Sequence, residues 1–201
     1  MEQIVVSMAD CRVSNAPGQL LATYALGSCI GLALYDPKVP VGGLLHFMLP
    51  DSHIDPARAR ENPCMFADTG VALLLDRVCA QGADKRRLVA HAAGGASIMD
   101  PRNIFDIGKR NCLALRKILR RAGILLASEA VGGNRSRTVR LEIGSGRFLL
   151  QESVAPCYFS GSDPLVSSAD QSRHLDIGGG PLSTSFETEA SICPATKKSA
   201  F

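Results

Sequence analysis

The stretch TYALGSCIGLALYDPKVPVGGLLHFMLP, residues 23–50, carries a cysteine, Cys29, and a histidine, His46, at opposite ends of a β-rich run. A thiolate is a strong nucleophile, and a nearby imidazole can take the thiol proton and later protonate a leaving amine. Gly27 and Ser28 stand just before the cysteine. They permit a sharp backbone turn that could aim amide N–H groups at a developing oxyanion. Such a pair also needs a third group to hold the imidazole, and Thr23 on the preceding strand has a hydroxyl able to do so. The chemistry these residues would support is acyl transfer through a cysteine.

The pair must be brought together by a hairpin. With the turn placed around Pro37 and Lys38, Tyr35 faces Pro40, Ala33 faces Gly42, Gly31 faces Leu44 and Cys29 faces His46. A slip of one residue would put the two side chains on opposite faces. Along the first strand Ile30, Leu32 and Leu34 share a bulky face, while Cys29, Gly31 and Ala33 share a small one. Small neighbours leave room for a substrate chain, and they suit a closely packed helix equally well. On these features alone Cys29 also reads as a small core residue and His46 as an ordinary strand histidine, because a chain with seven cysteines offers such coincidences.

The rest of the chain narrows the classes. At 201 residues, with 46% hydrophobic and 20% charged residues, it can bury one real core, and one α/β domain with an α+β-like order of elements is expected. The seven cysteines form no CxxC or CxxH spacing, so neither a disulfide framework nor a structural metal is expected. A net charge of +3 with few aromatics argues against nucleic-acid binding. No apolar run is long enough to cross a bilayer, and the start, MEQIVVSMADCRVS, lacks the pattern of a signal peptide. The chain therefore reads as cytoplasmic.

Strands are expected at QIVVSMADCRVS, GQLLATYAL, CIGLALYD and VGGLLHFML, followed by a polar loop, PDSHIDPARARENP. Helical periodicity then runs from about Cys64 to Gln81, with Gly82 just past its end. RRLVAHAAGGA reads as a strand entering a glycine turn, and KRNCLALRKILRRAG as an amphipathic helix closed by Gly123. ILLASEAVGG, RTVRLEI and RFLLQE complete the strands, giving a mixed sheet that carries helices. Residues 1–152 form the expected domain. Residues 153–201, rich in Ser, Gly and Pro, read as a disordered tail with no catalytic residue. Lys109, Arg110, Arg116, Lys117, Arg120 and Arg121 cluster on one helix, as a solvated face or as a docking surface for an acidic partner.

An ordered set of segments, LGSCIGLALYD, GGLLHFMLP, MFADTGVALLL, GGASIM, IGKRN and VGGNRSRTVRLEIGSG, resembles the CheD family of chemoreceptor glutamine deamidases. The resemblance covers about residues 3–150. It implies a cytoplasmic hydrolase of bacterial chemotaxis signal transduction, with Cys29 as nucleophile, His46 as general base and acid, and Thr23 orienting His46. It implies conversion of receptor glutamines to glutamate through a thioester, with glutamyl methyl-ester hydrolysis by the same chemistry in some members. The implied fold is a sandwich of mixed, largely antiparallel β-sheet with packed helices, similar to the catalytic domains of deamidating toxins. The implied partners are methyl-accepting chemoreceptors and, in some members, a CheC-type phosphatase of CheY; no cofactor or metal is implied. Two departures touch loop geometry: AHAAGGA, with His91 and Ala93, is less apolar than the usual run, and Ser136 stands where a glycine is usual before the arginine. A non-catalytic adaptor that binds receptors or a phosphatase is the competing reading. A papain-like peptidase is disfavoured, since its histidine lies far downstream of its cysteine.

Overall fold

The computed structural model describes residues 1–97 and 106–153, together with the backbone of one further strand, His174–Ile177. Among the described residues ten strands form two five-stranded sheets, with helices on the outer face of one. In chain order the strands are β1 (Glu2–Val5), β2 (Asp10–Ser14), β3 (Gln19–Leu26), β4 (Ile30–Asp36), β5 (Val41–Phe47), β6 (Val89–Gly94), β7 (Leu125–Val131), β8 (Arg137–Glu142), β9 (Phe148–Glu152) and β10 (His174–Ile177). The helices are α1 (Pro56–Glu61), α2 (Ala67–Ala80) and α3 (Ile107–Ala122). One sheet runs β1-β3-β8-β9-β10 and the other β2-β5-β4-β6-β7. Of the pairings between these strands, β1–β3 and β6–β7 are parallel and the others antiparallel. The mixed, largely antiparallel sandwich expected from the sequence is the architecture observed.

Alternation explains the layers. Ile30, Leu32 and Leu34 of β4, with Leu45 and Phe47 of β5, turn toward Val71, Leu74 and Val78 of α2 and Leu115 and Leu119 of α3. Ala33 and Leu44, on the other face, meet Leu21, Leu26, Val139, Leu141 and Phe148 of the first sheet. The face of Gly31 and Ala33 is therefore small because a second sheet lies on it, where the sequence allowed a closely packed helix. A Cβ on Gly31 would stand 2.9 Å from Leu26 Cδ1 and 3.2 Å from Val139 Cγ2.

Three further expectations are corrected. QIVVSMADCRVS is two strands in different sheets, separated by a turn in which Ala9 takes φ +54. Val6 is buried at this break, where its amide bonds Ala22 O at 2.7 Å. The polar loop contains α1, which starts at Pro56 with the Asp55 side chain accepting the Arg58 amide. The helix expected from Cys64 begins as α2 at Ala67, after a 3-10 turn over Pro63–Met65. Helix α3 does end at Gly123, with φ +70 and its N–H bonded to Leu119 and Arg120 carbonyls. Its six expected cations are all exposed, opposite the buried Cys112, Leu115 and Leu119. The disordered-tail expectation lies outside the described residues, apart from β10, which pairs antiparallel with β9.

Candidate active site

Thr23, Cys29 and His46 line one cavity of about 260 Å³ where the two sheets meet. Each comes from a different element: Thr23 from β3, His46 from β5, and Cys29 from the bend between β3 and β4. The hairpin register places Gly31, rather than Cys29, opposite His46, and Tyr35 opposite Gly42. The turn spans four residues, Pro37 to Pro40, after Asp36 pairs with Val41. The correction is therefore a shift of two. An even shift keeps every side chain on its face, so His46 still points to the side that the small residues of β4 occupy.

The hydroxyl of Thr23 decides the state of the histidine. Its Oγ1 lies 2.7 Å from Val6 O and 2.8 Å from His46 Nδ1, and Thr23 is fully buried. A carbonyl can only accept, so the single hydroxyl proton goes to Val6 O, and the hydroxyl oxygen must accept from His46 Nδ1–H. The lone pair is then on Nε2, which is buried and has no partner. Burial holds the His46 pKa down at about 4. Burial also pushes the Cys29 thiol up, against a smaller lowering by its own backbone N–H. The resting pair is a neutral imidazole and a neutral thiol, in contrast to the thiolate–imidazolium ion pair of papain-like sites.

The loop before β4 is fixed from behind. Its three carbonyls are all taken: Gly27 O by the Ala96 amide at 2.8 Å, Cys29 O by the Gly95 amide at 2.8 Å, and Ser28 O by Asn111 Nδ2 at 2.9 Å. Among the described residues the Ser28 amide has no backbone partner, and the Cys29 amide meets only its own thiol. Gly94, with φ +116, lies so close that a Cβ there would run into Cys29 O. Arg137, mostly buried, bonds the carbonyls of Gly94 and Gly132 and the Glu152 carboxylate, which locks the glycine turn in place.

Asn111 is the residue that sequence reasoning missed. It is fully buried on α3, and its Nδ2 bonds both Ser28 O and Met48 O, the latter at 2.8 Å. One amide thus joins the chain just before Cys29 to the chain just after His46. The signal was an asparagine in the apolar stripe of α3, four residues before Leu115.

A bulge shapes the mouth of the cavity. Between Thr23 and Leu26 the β3–β8 register slips by one residue, and Ala25 takes φ +54. Tyr24 and Ala25 both become exposed, while Thr23 and Leu26 both point inward. His91 lies elsewhere, stacked on Phe148 with ring centroids 5.2 Å apart and Nδ1 2.7 Å from Ser128 Oγ. Asp51, His53 and Asp68 bring possible ligand atoms within 4.8 Å of one another at the surface, but Asp68 already accepts the Ser52 hydroxyl and amide.

Comparisons with known proteins converge. The family model described as CheD chemotactic sensory transduction matches residues 48–152, a span that begins after Cys29 and His46. A Solibacter usitatus protein named "Probable chemoreceptor glutamine deamidase CheD" is 73% identical over 153 residues, covering 76% of this chain and 90% of that protein. A Syntrophus aciditrophicus protein named "Probable chemoreceptor glutamine deamidase CheD 1" is 49% identical over 78% of this chain and 98% of its own length. An Anaeromyxobacter dehalogenans protein, "Probable chemoreceptor glutamine deamidase CheD 2", is 48% identical over 78% of this chain and 99% of its own.

Proposed function

The chain belongs to the CheD family, and we propose that it is a protein-glutamine deamidase that converts glutamines of methyl-accepting chemoreceptors to glutamate. The observation that carries this reading is the Thr23–His46 bond, which leaves the lone pair on Nε2 of a histidine that lines the same cavity as Cys29. His46 Nε2 takes the Cys29 proton as the sulfur attacks the carboxamide carbon. The Ser28 and Cys29 amides are the available donors for the oxyanion, with Gly27 giving the loop its turn. The imidazolium returns its proton to nitrogen, and ammonia leaves as the thioester forms. His46 then deprotonates water, which cleaves the thioester to glutamate and frees the thiol. A glutamyl methyl ester would follow the same course with methanol as leaving group.

Chemoreceptors are the proposed substrates, and a CheC-type phosphatase of CheY is the second partner that family membership points to. No helix among the described residues is long and apolar enough to cross a membrane, and the proposed place of reaction is the cytoplasm. The residues around Cys29 supply the acid, base and nucleophile that the reaction needs, and no step calls for a cofactor.

The test is mass spectrometry of a chemoreceptor cytoplasmic fragment after incubation with the protein. Wild type converts specific glutamines, each with the gain in mass of an amide-to-acid change, and Cys29→Ala converts none. A fragment left unmodified by wild type but bound by it would support the adaptor reading instead.

A further inference from the structure

Three of the seven large apolar side chains exposed among the described residues, Val5, Met8 and Tyr24, line the cavity of Cys29 and His46. Val5 lies at the end of β1, Met8 in the β1–β2 turn and Tyr24 at the β3 bulge. They are exposed by 49%, 58% and 39%, far more than a core residue and enough to offer contact area. Tyr24 is held in place: Gln3 Nε2 donates to its hydroxyl at 2.8 Å, and the Arg140 guanidinium lies 5.8 Å from its ring centroid. Among the described residues no Asp, Glu, Lys or Arg lines the cavity.

At about 260 Å³ the cavity is smaller than the ~300–1,000 Å³ of sites that enclose drug-sized ligands, so it suits one inserted side chain with its neighbours left on the rim. An uncharged lining takes a neutral carboxamide at a lower desolvation cost than the carboxylate that replaces it, which favours substrate over product. Whatever flanks the inserted glutamine must lie against Val5, Met8 and Tyr24.

We infer that Val5, Met8 and Tyr24 form the docking surface for the substrate protein and select a glutamine flanked by uncharged, apolar side chains. This inference rests on the deamidase reading and deepens it by naming what recognises the substrate. Clusters of exposed apolar and aromatic side chains beside a pocket are the usual anchors of protein–protein contact.

The experiment is steady-state deamidation of a receptor cytoplasmic fragment by wild type, Met8→Ser, Tyr24→Ser and Leu125→Ser. Leu125 is 66% exposed but lies on β7, away from the cavity. Both rim variants are expected to raise KM about tenfold with kcat held within about threefold, because only binding is lost. Leu125→Ser leaves KM unchanged, and the rate of Cys29 alkylation by iodoacetamide is the same in all four proteins. An unchanged KM in both rim variants would overturn the inference, as would a loss of kcat that tracks slower alkylation.

Failure of the function reading is separable. If wild type converts no glutamine, binding of the fragment to Cys29→Ala is measured instead, with and without the rim substitutions. Weaker binding by the rim variants keeps the docking surface while the deamidase reading falls. Equal binding, or none, overturns the docking surface.

Discussion

The two ends of the β4–β5 hairpin treat buried polar atoms in opposite ways. At the turn end Asp36 is fully buried, and four donors meet its carboxylate: Arg87 Nη2 at 2.7 Å, Arg87 Nε at 3.1 Å, the Asp84 amide at 2.8 Å and the Lys38 amide at 2.9 Å. Burial alone would raise its pKa, but these donors, Arg87 foremost, hold it at about 2. At the other end His46 Nε2 and Asn111 Oδ1 have no partner, and no other buried side-chain N or O among the described residues lacks one. A fold able to give one buried carboxylate four donors leaves two buried atoms without a partner at this end, and one of them belongs to the histidine that lines the cavity of Cys29. Buried polar atoms are paired as a rule, so on the proposed function the open Nε2 is the atom that the reaction would use.

Substitutions at the two ends should therefore separate activity from stability. His46→Leu removes the base and is expected to lower kcat/KM by roughly 10²–10⁴-fold. It also removes an unpartnered buried nitrogen, so urea unfolding should show stability held within about 1 kcal/mol of wild type, or raised. Arg87→Ala should do the reverse. It leaves the Asp36 carboxylate buried without its guanidinium, at a cost of about 3 kcal/mol in the same unfolding assay, while kcat/KM stays within about twofold. Equal damage to activity from both changes would mean that the two ends are not the separate structural and chemical regions they are taken for.

The same contrast appears in pH. His46 has a folded-state pKa of about 4 and an ordinary value of 6.5, so between these values the unfolded chain binds a proton that the folded chain does not. Its contribution is fully present above about pH 6.5 and is lost as pH falls toward 4, by roughly 3 kcal/mol in all. Asp36 works in the same direction but only at lower pH, from its ordinary 3.8 down to about 2. Burial also lowers the His91 pKa, so wild type carries two histidine contributions of the same sign. Subtracting the unfolding curves of His46→Leu from those of wild type between pH 7 and 4.5 isolates the share due to His46. A difference that does not change with pH would refute the buried neutral imidazole.

How far the site could be read in the sequence depended on which errors strand geometry forgives. The expected hairpin paired Cys29 with His46, whereas Gly31 holds that position. The grouping of Thr23, Cys29 and His46 survived because a two-residue shift preserves sides, whereas a one-residue error would have broken it. The break between β1 and β2 carried no such protection. Its positive φ falls on Ala9, so neither glycine nor proline marked it. The bulge at Ala25 was hidden for the same reason, although it is what turns Tyr24 and Ala25 to the mouth. Helix α1 did announce itself, through Asp55 and Pro56, within a segment whose charge suggested a loop. Asn111 acts through bonds to Ser28 and Met48, far from it in the chain, and local pattern cannot supply such bonds.

The smallest expected effect comes from the hydroxyl that joins the two sheets at the chemical end. Thr23→Val keeps shape but removes the acceptor of His46 Nδ1–H and the donor to Val6 O. Two buried groups lose their partner, at a cost of about 1–3 kcal/mol in stability. The imidazole is then free to place its proton on Nε2, where it no longer acts as a base, so kcat should fall by about tenfold or more while KM changes little. Thr23→Ser restores both bonds and should recover kcat to within about threefold. A valine variant that lost stability but kept kcat would show that Thr23 serves the packing of the sheets alone, and that His46 holds its tautomer without help. Recovery by serine, with the valine variant slow, would tie the open lone pair on Nε2 to the one proton on Thr23 Oγ1.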